Sequence, residues 1–219
     1  MPVVRVRQHV NPLSQKYQHP PQVPDWRILY AQPQQPLHLD IGCAKGQFLL
    51  ALAAEQPNWN FLGLEIREPL VQQANQDRDR AELFNLHYIF CNVNNFLRPL
   101  LQSLPPNTLQ RVSIQFPDPW FKKRHQKRRV VQPEVVDCLA EFLAPQGVVF
   151  LQSDIESVAI EMCDRFAAVP QFERQGLGWL PENPLPVPTE RERSTLAKGD
   201  PVYRAIFRKP SSTLVESHT

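Results

Sequence analysis

Short apolar runs alternate with longer helical patterns from residue 37 to about residue 168, and this alternation constrains the chain more than any other feature. Strands are predicted at Leu37–Ile41, Asn60–Glu65, Leu86–Cys91, Arg111–Gln115 and Gly147–Gln152. Helices are predicted near Gln47–Glu55, from about Pro69 to Phe84, from Pro133 to about Phe142 and from about Ile155 to Ala168. A proline suits the first turn of a helix, where no N–H is needed. The tail offers two further strands, near Phe172–Arg174 and Val202–Phe207. Strand, helix and strand in repeated succession build a parallel sheet covered on both faces. Such a doubly wound α/β sheet binds its ligands at the carboxyl ends of its strands.

The prolines gather outside this core. Residues 1–36 hold seven prolines and several glutamines, which predicts an extended, flexible N-terminal arm before a domain over 37–209. Residues 210–219 read as a disordered tail. Pro181, Pro184, Pro186 and Pro188 make a stiff connector. Four widely spaced cysteines without a Cys-x-x-Cys pair point to buried free thiols in a reducing compartment, with no metal site. No apolar run reaches membrane-spanning length, so a cytoplasmic protein is expected.

The first strand runs into Asp40-Ile41-Gly42-Cys43-Ala44-Lys45-Gly46, a small-residue loop that opens a helix. Gly42 and Gly46 permit a tight turn and a close approach of backbone to ligand, although a plain strand-to-helix turn has the same look. The spacing differs from the dinucleotide fingerprint, which disfavours a pyrophosphate. The second strand ends in Glu65, where an α/β fold holds ribose hydroxyls, and the third in Asn92, whose amide can meet an adenine edge. An adenosine ligand without phosphates fits these three strand ends, and S-adenosylmethionine is the natural candidate.

The fourth strand leads into Phe116-Pro117-Asp118-Pro119-Trp120, followed by six Lys/Arg and a His within Lys122–Arg129. Net charge is only +2, so attraction for a nucleic acid must come from this cluster. A carboxylate, an aromatic plane and a phosphate-binding surface lie side by side there. Arg5, Arg7, His9, Lys16 and Lys45 would extend the same positive surface.

In these residues the chain resembles the tRNA (guanine-N7)-methyltransferase family, bacterial single-subunit type. The segment Phe116–Trp120 with Lys122, Arg124-His125 and Lys127-Arg128-Arg129 is similar to the family's diagnostic segment. Thr189-Glu190-Arg191-Glu192, with Gly199 and Tyr203-Arg204, is similar to its C-terminal substrate motif. The resemblance implies a Rossmann-like methyltransferase fold, a seven-stranded, mostly parallel sheet with one antiparallel strand. It implies methylation of a guanosine in the tRNA variable loop, by a monomer or homodimer that needs no partner subunit and no metal. Asp40, Glu65, Asn92 and Asp118 match methyl-donor positions, and Asp118 also the catalytic one. Lys122, Asp154, Thr189, Glu190, Arg191 and Glu192 match substrate positions. Three residues depart from the pattern: Asn92 for an Asp, Ala44 for a glycine (acceptable where φ is negative) and Arg191 for an aromatic.

Guanine N7 carries a lone pair and no proton, so its methylation needs positioning more than a strong base. Asp118 is suited to accept from the guanine N1–H and exocyclic amine, orienting the base and stabilising developing positive charge. Trp120 is a candidate for stacking on the displaced base. Lys123, Arg124, Lys127, Arg128 and Arg129, with Lys122, would hold phosphates. His125, crowded by cations, is read as structural or RNA-contacting. A non-catalytic RNA-binding protein on the same fold is the competing reading; a small-molecule methyltransferase would leave the basic cluster without a purpose.

Overall fold

The alternating pattern folds as one mixed sheet between two layers of helices in the computed structural model, which describes residues 10–211. In chain order these residues form α1 (Trp26–Leu29), β1 (Leu37–Ile41), α2 (Gln47–Glu55), β2 (Asn60–Glu65), α3 (Glu68–Arg80), β3 (Leu86–Phe90) and α4 (Val93–Gln102). There follow β4 (Leu109–Gln115), α5 (Pro133–Phe142), β5 (Val148–Ser153), α6 (Glu156–Ala167), β6 (Glu173–Gln175), α7 (Glu190–Ala197) and β7 (Tyr203–Arg208). The strand order is β3-β2-β1-β4-β5-β7-β6, and β7 alone runs antiparallel to its neighbours. The chain builds outward from β1 to β3, then returns to lay β4 on the other side of β1. That reversal opens a crevice above the ends of β1 and β4, where ligands of doubly wound sheets bind.

The two faces of the sheet differ in chemistry because successive side chains of a strand point to opposite sides. On one face Leu37, Leu39 and Ile41 of β1 join Val112 and Ile114 of β4 and Val149 and Leu151 of β5 in an apolar core under α4, α5 and α6. The other face is covered by α2 and α3 through Phe48, Leu52, Phe61, Val71 and Tyr88. Between those helices and the cavity described below it carries a buried polar ladder: His38 and Asp40 of β1, Ser113 of β4 and Gln152 of β5. In-register pairing sets Asp40 opposite Ser113 and Gln115 opposite Gln152.

Four parts of the chain differ from the sequence expectation. Residues 10–36 are not an extended arm throughout: Trp26 and Tyr30 are buried. Their polar ends are satisfied on the domain, Trp26 Nε1 donating to Ser103 Oγ at 3.0 Å and the Tyr30 hydroxyl to the Phe61 carbonyl at 2.9 Å. Two aromatics of that size outweigh the proline-rich composition around them. Helix α3 ends at Arg80, short of Phe84, because Glu82 turns left-handed at φ 53°. Helix α4 was hidden by Pro99 in its last turns, yet its apolar residues Val93, Leu97, Leu100 and Leu101 follow a helical period. Pro99 removes only the bond to the Asn95 carbonyl, and both residues are exposed. Helix α7 begins within the C-terminal motif itself, where Thr189 Oγ1 accepts the Glu192 N–H at 3.0 Å as an N-cap.

Arg5, Arg7, His9 and the tail from residue 212 lie outside the described residues. All four cysteines are free and buried. Among the described residues no helix is long and apolar enough to cross a membrane, and no three His, Cys, Asp or Glu side chains cluster as metal ligands would.

Candidate active site

A cavity of about 650 Å³ lies over the carboxyl ends of β1, β2, β4 and β5. Asp40, Gly42, Glu65, Asn92, Asp118 and Asp154 all line it, and so do Thr189, Glu190 and Arg191 at the start of α7. The glycine loop and the Pro-Asp-Pro-Trp segment, 70 residues apart in sequence, thus face one space.

The loop after β1 turns on three left-handed residues, Gly42 (φ 83°), Ala44 (φ 50°) and Gly46 (φ 74°). The two glycines serve different ends. A Cβ on Gly42 would meet nothing within 4 Å, since that side faces the cavity. A Cβ on Gly46 would lie 2.6 Å from the Tyr88 ring, whose hydroxyl donates to the Gly46 carbonyl at 2.6 Å. Gly46 therefore packs the loop against β3 and does not line the cavity. Ala44 is not at negative φ as its tolerance required; its N–H donates to Glu65 Oε2 at 2.9 Å, which holds the strained turn in place.

Glu65 is buried, and both its oxygens are engaged by the loops after β1 and β2. Oε1 accepts the Arg67 N–H and Nε, each at 2.9 Å; Oε2 accepts Arg67 Nη2 at 3.0 Å besides the Ala44 N–H. Arg67 escaped the sequence reading, although a Glu-x-Arg at a strand tip is a visible signal for a chelated carboxylate. Asp40 accepts from Ser113 Oγ at 2.5 Å and from Gln115 Nε2 at 3.2 Å. Burial pushes its carboxyl up to about 6, against those two hydrogen bonds, with the Glu65 charge adding to the rise. Because Ser113 gives its proton to Asp40, its oxygen receives one from His38 Nε2 at 2.9 Å. Burial and the Arg111 charge hold His38 neutral.

Asn92 reaches the cavity but spends its amide protons on the N-terminal segment, donating to the Pro12 and Tyr17 carbonyls at 3.0 and 3.1 Å. Val10 and Pro12 thereby become part of the cavity wall.

Asp118 stands between prolines, and the structure adds a second constraint. Phe116 and Trp120, on either side of Pro-Asp-Pro, both take left-handed φ, 50° and 41°. Such conformations cost bulky residues about 1–3 kcal/mol each and cluster where a side chain must be aimed. The Phe116 N–H donates to the Gln152 carbonyl at 2.8 Å, tying the turn to β5. Trp120 is packed within its own loop, with the Arg128 guanidinium 5.0 Å over its ring and His125 edge-on at 5.8 Å.

The basic cluster divides by direction. Lys122, Lys123, Arg124 and Lys127 are exposed outside the cavity. Arg128 lies on Trp120 and reaches the cavity. Arg129, expected on phosphates, is turned inward: it pairs with Glu161 and its Nε donates to the Pro119 carbonyl at 2.7 Å. Partial burial, then the charges of Arg128, Arg124 and Lys122, hold His125 below its ordinary pKa.

The substrate motif divides too. Arg191 chelates Asp154, with Nε 2.9 Å from Oδ2, and Lys45 lies 3.7 Å from Glu190. Glu192 faces away from the cavity and is buried at 1 % exposure. Arg204 Nη2 donates to its Oε1 at 2.7 Å, and Asn183 to its Oε2 at 2.6 Å.

The cavity sets five carboxylates, Asp40, Glu65, Asp118, Asp154 and Glu190, among four cations, Lys45, Arg67, Arg128 and Arg191, beside one open glycine, a lining that suits a ligand carrying charges of both signs. The sulfonium, ammonium and carboxylate of S-adenosylmethionine meet that description. Comparison with known proteins agrees. The family described as "Putative methyltransferase" matches residues 34–205. The tRNA (guanine-N(7)-)-methyltransferase of Trichormus variabilis is 65 % identical over 212 residues, covering 96 % of this chain and 99 % of that one. The enzyme of the same name from Synechococcus elongatus is 65 % identical over 209 residues, covering 95 % and 98 %. The 16S rRNA methyltransferase KamB shares the fold at TM-score 0.59 and 15 % identity, over 84 % of this chain and 91 % of that one. With relatives this similar over nearly its whole length, the chain belongs to the S-adenosylmethionine-dependent tRNA (guanine-N7-)-methyltransferase family.

Proposed function

We propose that this chain methylates N7 of a guanosine in the tRNA variable loop, acting in the cytoplasm and without an obligatory partner subunit. The observation that carries the reading is the convergence of Asp118 and Glu65 on one cavity, bordered outside by Lys122, Lys123, Arg124 and Lys127. Glu65 and the open side of Gly42 would hold the donor, with Asp40 and Asn92 bordering it. S-adenosylmethionine supplies a methyl group on a positively charged sulfur; the N7 lone pair forms the new bond while the electrons of the old one remain on sulfur.

Asp118, fixed by its strained turn, would accept from the guanine N1–H and amino group and balance the positive charge that grows on the ring. No group need remove a proton from N7. Asp154 and Glu190 at the far wall are placed to meet the nucleotide, and Arg191 offsets the charge of Asp154. The exposed cations would hold the backbone, giving affinity and salt dependence without base choice. Methyl transfer from labelled donor to tRNA lacking the modification tests the reading, with chemical cleavage at 7-methylguanosine to map the site. Label in another base, or label at a guanosine outside the variable loop, would refute it.

A further inference from the structure

We infer that Phe121 is the aromatic face on which the target guanine stacks at the mouth of the cavity. Trp120, the aromatic that sequence alone nominates, also lines the cavity, but its ring is engaged: Arg128 lies 5.0 Å over it and His125 abuts it at 5.8 Å. Trp120 takes a left-handed φ of 41°, and the residue that follows is exposed. Phe121 is 72 % exposed, yet it lines the same cavity as Asp118. An isolated exposed phenylalanine needs no explanation elsewhere on a surface. Here it lies at the cavity rim, directly before Lys122, Lys123 and Arg124, all exposed. A ring beside phosphate-holding cations is the arrangement that receives an unstacked base. Since both residues line one cavity, the ring would cover the base plane while the Asp118 carboxylate takes the base edge.

This inference rests on the proposed tRNA reading, and the test separates the two. Phe121→Ala, Phe121→Leu and Phe121→Trp are compared for tRNA affinity, kcat and KM for tRNA, donor affinity by calorimetry, and melting temperature. Phe121→Ala should lose about 5- to 150-fold in tRNA affinity and kcat/KM, the range for one stacked base. Phe121→Leu, equally apolar but without a π face, should lose nearly as much; Phe121→Trp should restore the wild-type level. Donor affinity, melting temperature and the slope of tRNA affinity against salt should not move, since the residue is exposed and uncharged. Phe121→Ala within twofold of wild type in both tRNA affinity and kcat/KM overturns the inference, as does full activity of Phe121→Leu. If wild type transfers no methyl to tRNA while Phe121→Ala still weakens tRNA binding, the proposed function fails and the stacking stands.

Discussion

Gly42 and Gly46 occupy the same loop with similar φ, but alanine at each should fail for a different reason. A left-handed L-residue costs about 1–2 kcal/mol, offset by about 0.4–1 kcal/mol from a stiffer unfolded chain. For Gly42→Ala that is the whole stability effect, because the new Cβ meets nothing within 4 Å. The expected loss of about 0.5–1.5 kcal/mol lowers Tm by roughly 1–6 °C in a chain of this size. At Gly46 the Cβ would lie 2.6 Å from Tyr88, so the ring must move and its hydroxyl leaves the Gly46 carbonyl. Overpacking adds about 1–3 kcal/mol and the hydrogen bond about 1 kcal/mol, for roughly 3–5 kcal/mol and a fall of ~6–20 °C. Function should rank the other way. The Gly42 methyl projects into the cavity and should cost donor affinity roughly 5- to 150-fold, the equivalent of overpacking by about 1–3 kcal/mol. Thermal melts and calorimetric titration with S-adenosylmethionine measure both quantities on the same samples. Should Gly46→Ala melt no lower than Gly42→Ala, or Gly42→Ala bind donor as wild type does, the division of labour is wrong.

Ala44→Gly should raise Tm by roughly 1–4 °C, since glycine relieves the strain at φ 50° and loses part of the gain to unfolded-state entropy; an unchanged or lower Tm would show that the Ala44 methyl packs usefully. Asp118→Ala should cut turnover about 10²- to 10³-fold while donor affinity stays within a few-fold, because its proposed contribution is to transition-state charge and base orientation; equal loss of donor affinity would place the residue wrongly. The folded pKa of Asp40 is raised to about 6, so its ionised form costs stability, fully above that pH and not at all below about 4. Asp40→Asn should therefore melt higher than wild type at pH 7.5, and that advantage should vanish by pH 4; a difference independent of pH would dismiss burial of the charge as its cause. Lys123→Glu with Lys127→Glu should weaken tRNA binding and flatten log K against log salt by roughly 0.7–0.9 for each phosphate lost; an unchanged slope would remove both from the RNA surface.

The strands and most helices were legible because hydrophobic period and length determine them, and the crevice followed from strand order once β4 was placed beside β1. What period could not reveal is direction within a charged or glycine-rich run. Arg128 and Arg129 are neighbours in an unbroken basic string, yet one lies over an indole and the other pairs with Glu161 from a helix that begins 27 residues later. Nor does one sequence disclose that Asn92 gives its amide protons to Pro12 and Tyr17, a contact across 75 residues or more. Helix α7, by contrast, had a readable signal in Thr-x-x-Glu, the pattern of a capping box. Only half of that box forms, because the Glu192 carboxylate has another partner.

That other partner explains why a buried glutamate sits in a motif otherwise facing the cavity. A carboxylate this enclosed is tolerable only when paired and hydrogen-bonded, and Glu192 has Arg204, Asn183 and, at 3.3 Å, Gln152. Gln152 Nε2 in turn donates to Gln115 Oε1 at 2.7 Å, and Gln115 donates to Asp40. A continuous hydrogen-bonded line thus crosses β1, β4 and β5 and ends at the first turn of α7. It fixes the rotation of that helix. With Glu192 locked inward and Thr189 capping the turn, Glu190 and Arg191 are exposed at the rim of the cavity. The residues proposed to meet the substrate are therefore held from beneath by the same network that holds Asp40. The proposed donor wall and the proposed substrate wall are one hydrogen-bonded construction, which a reading of separate motifs divides in two.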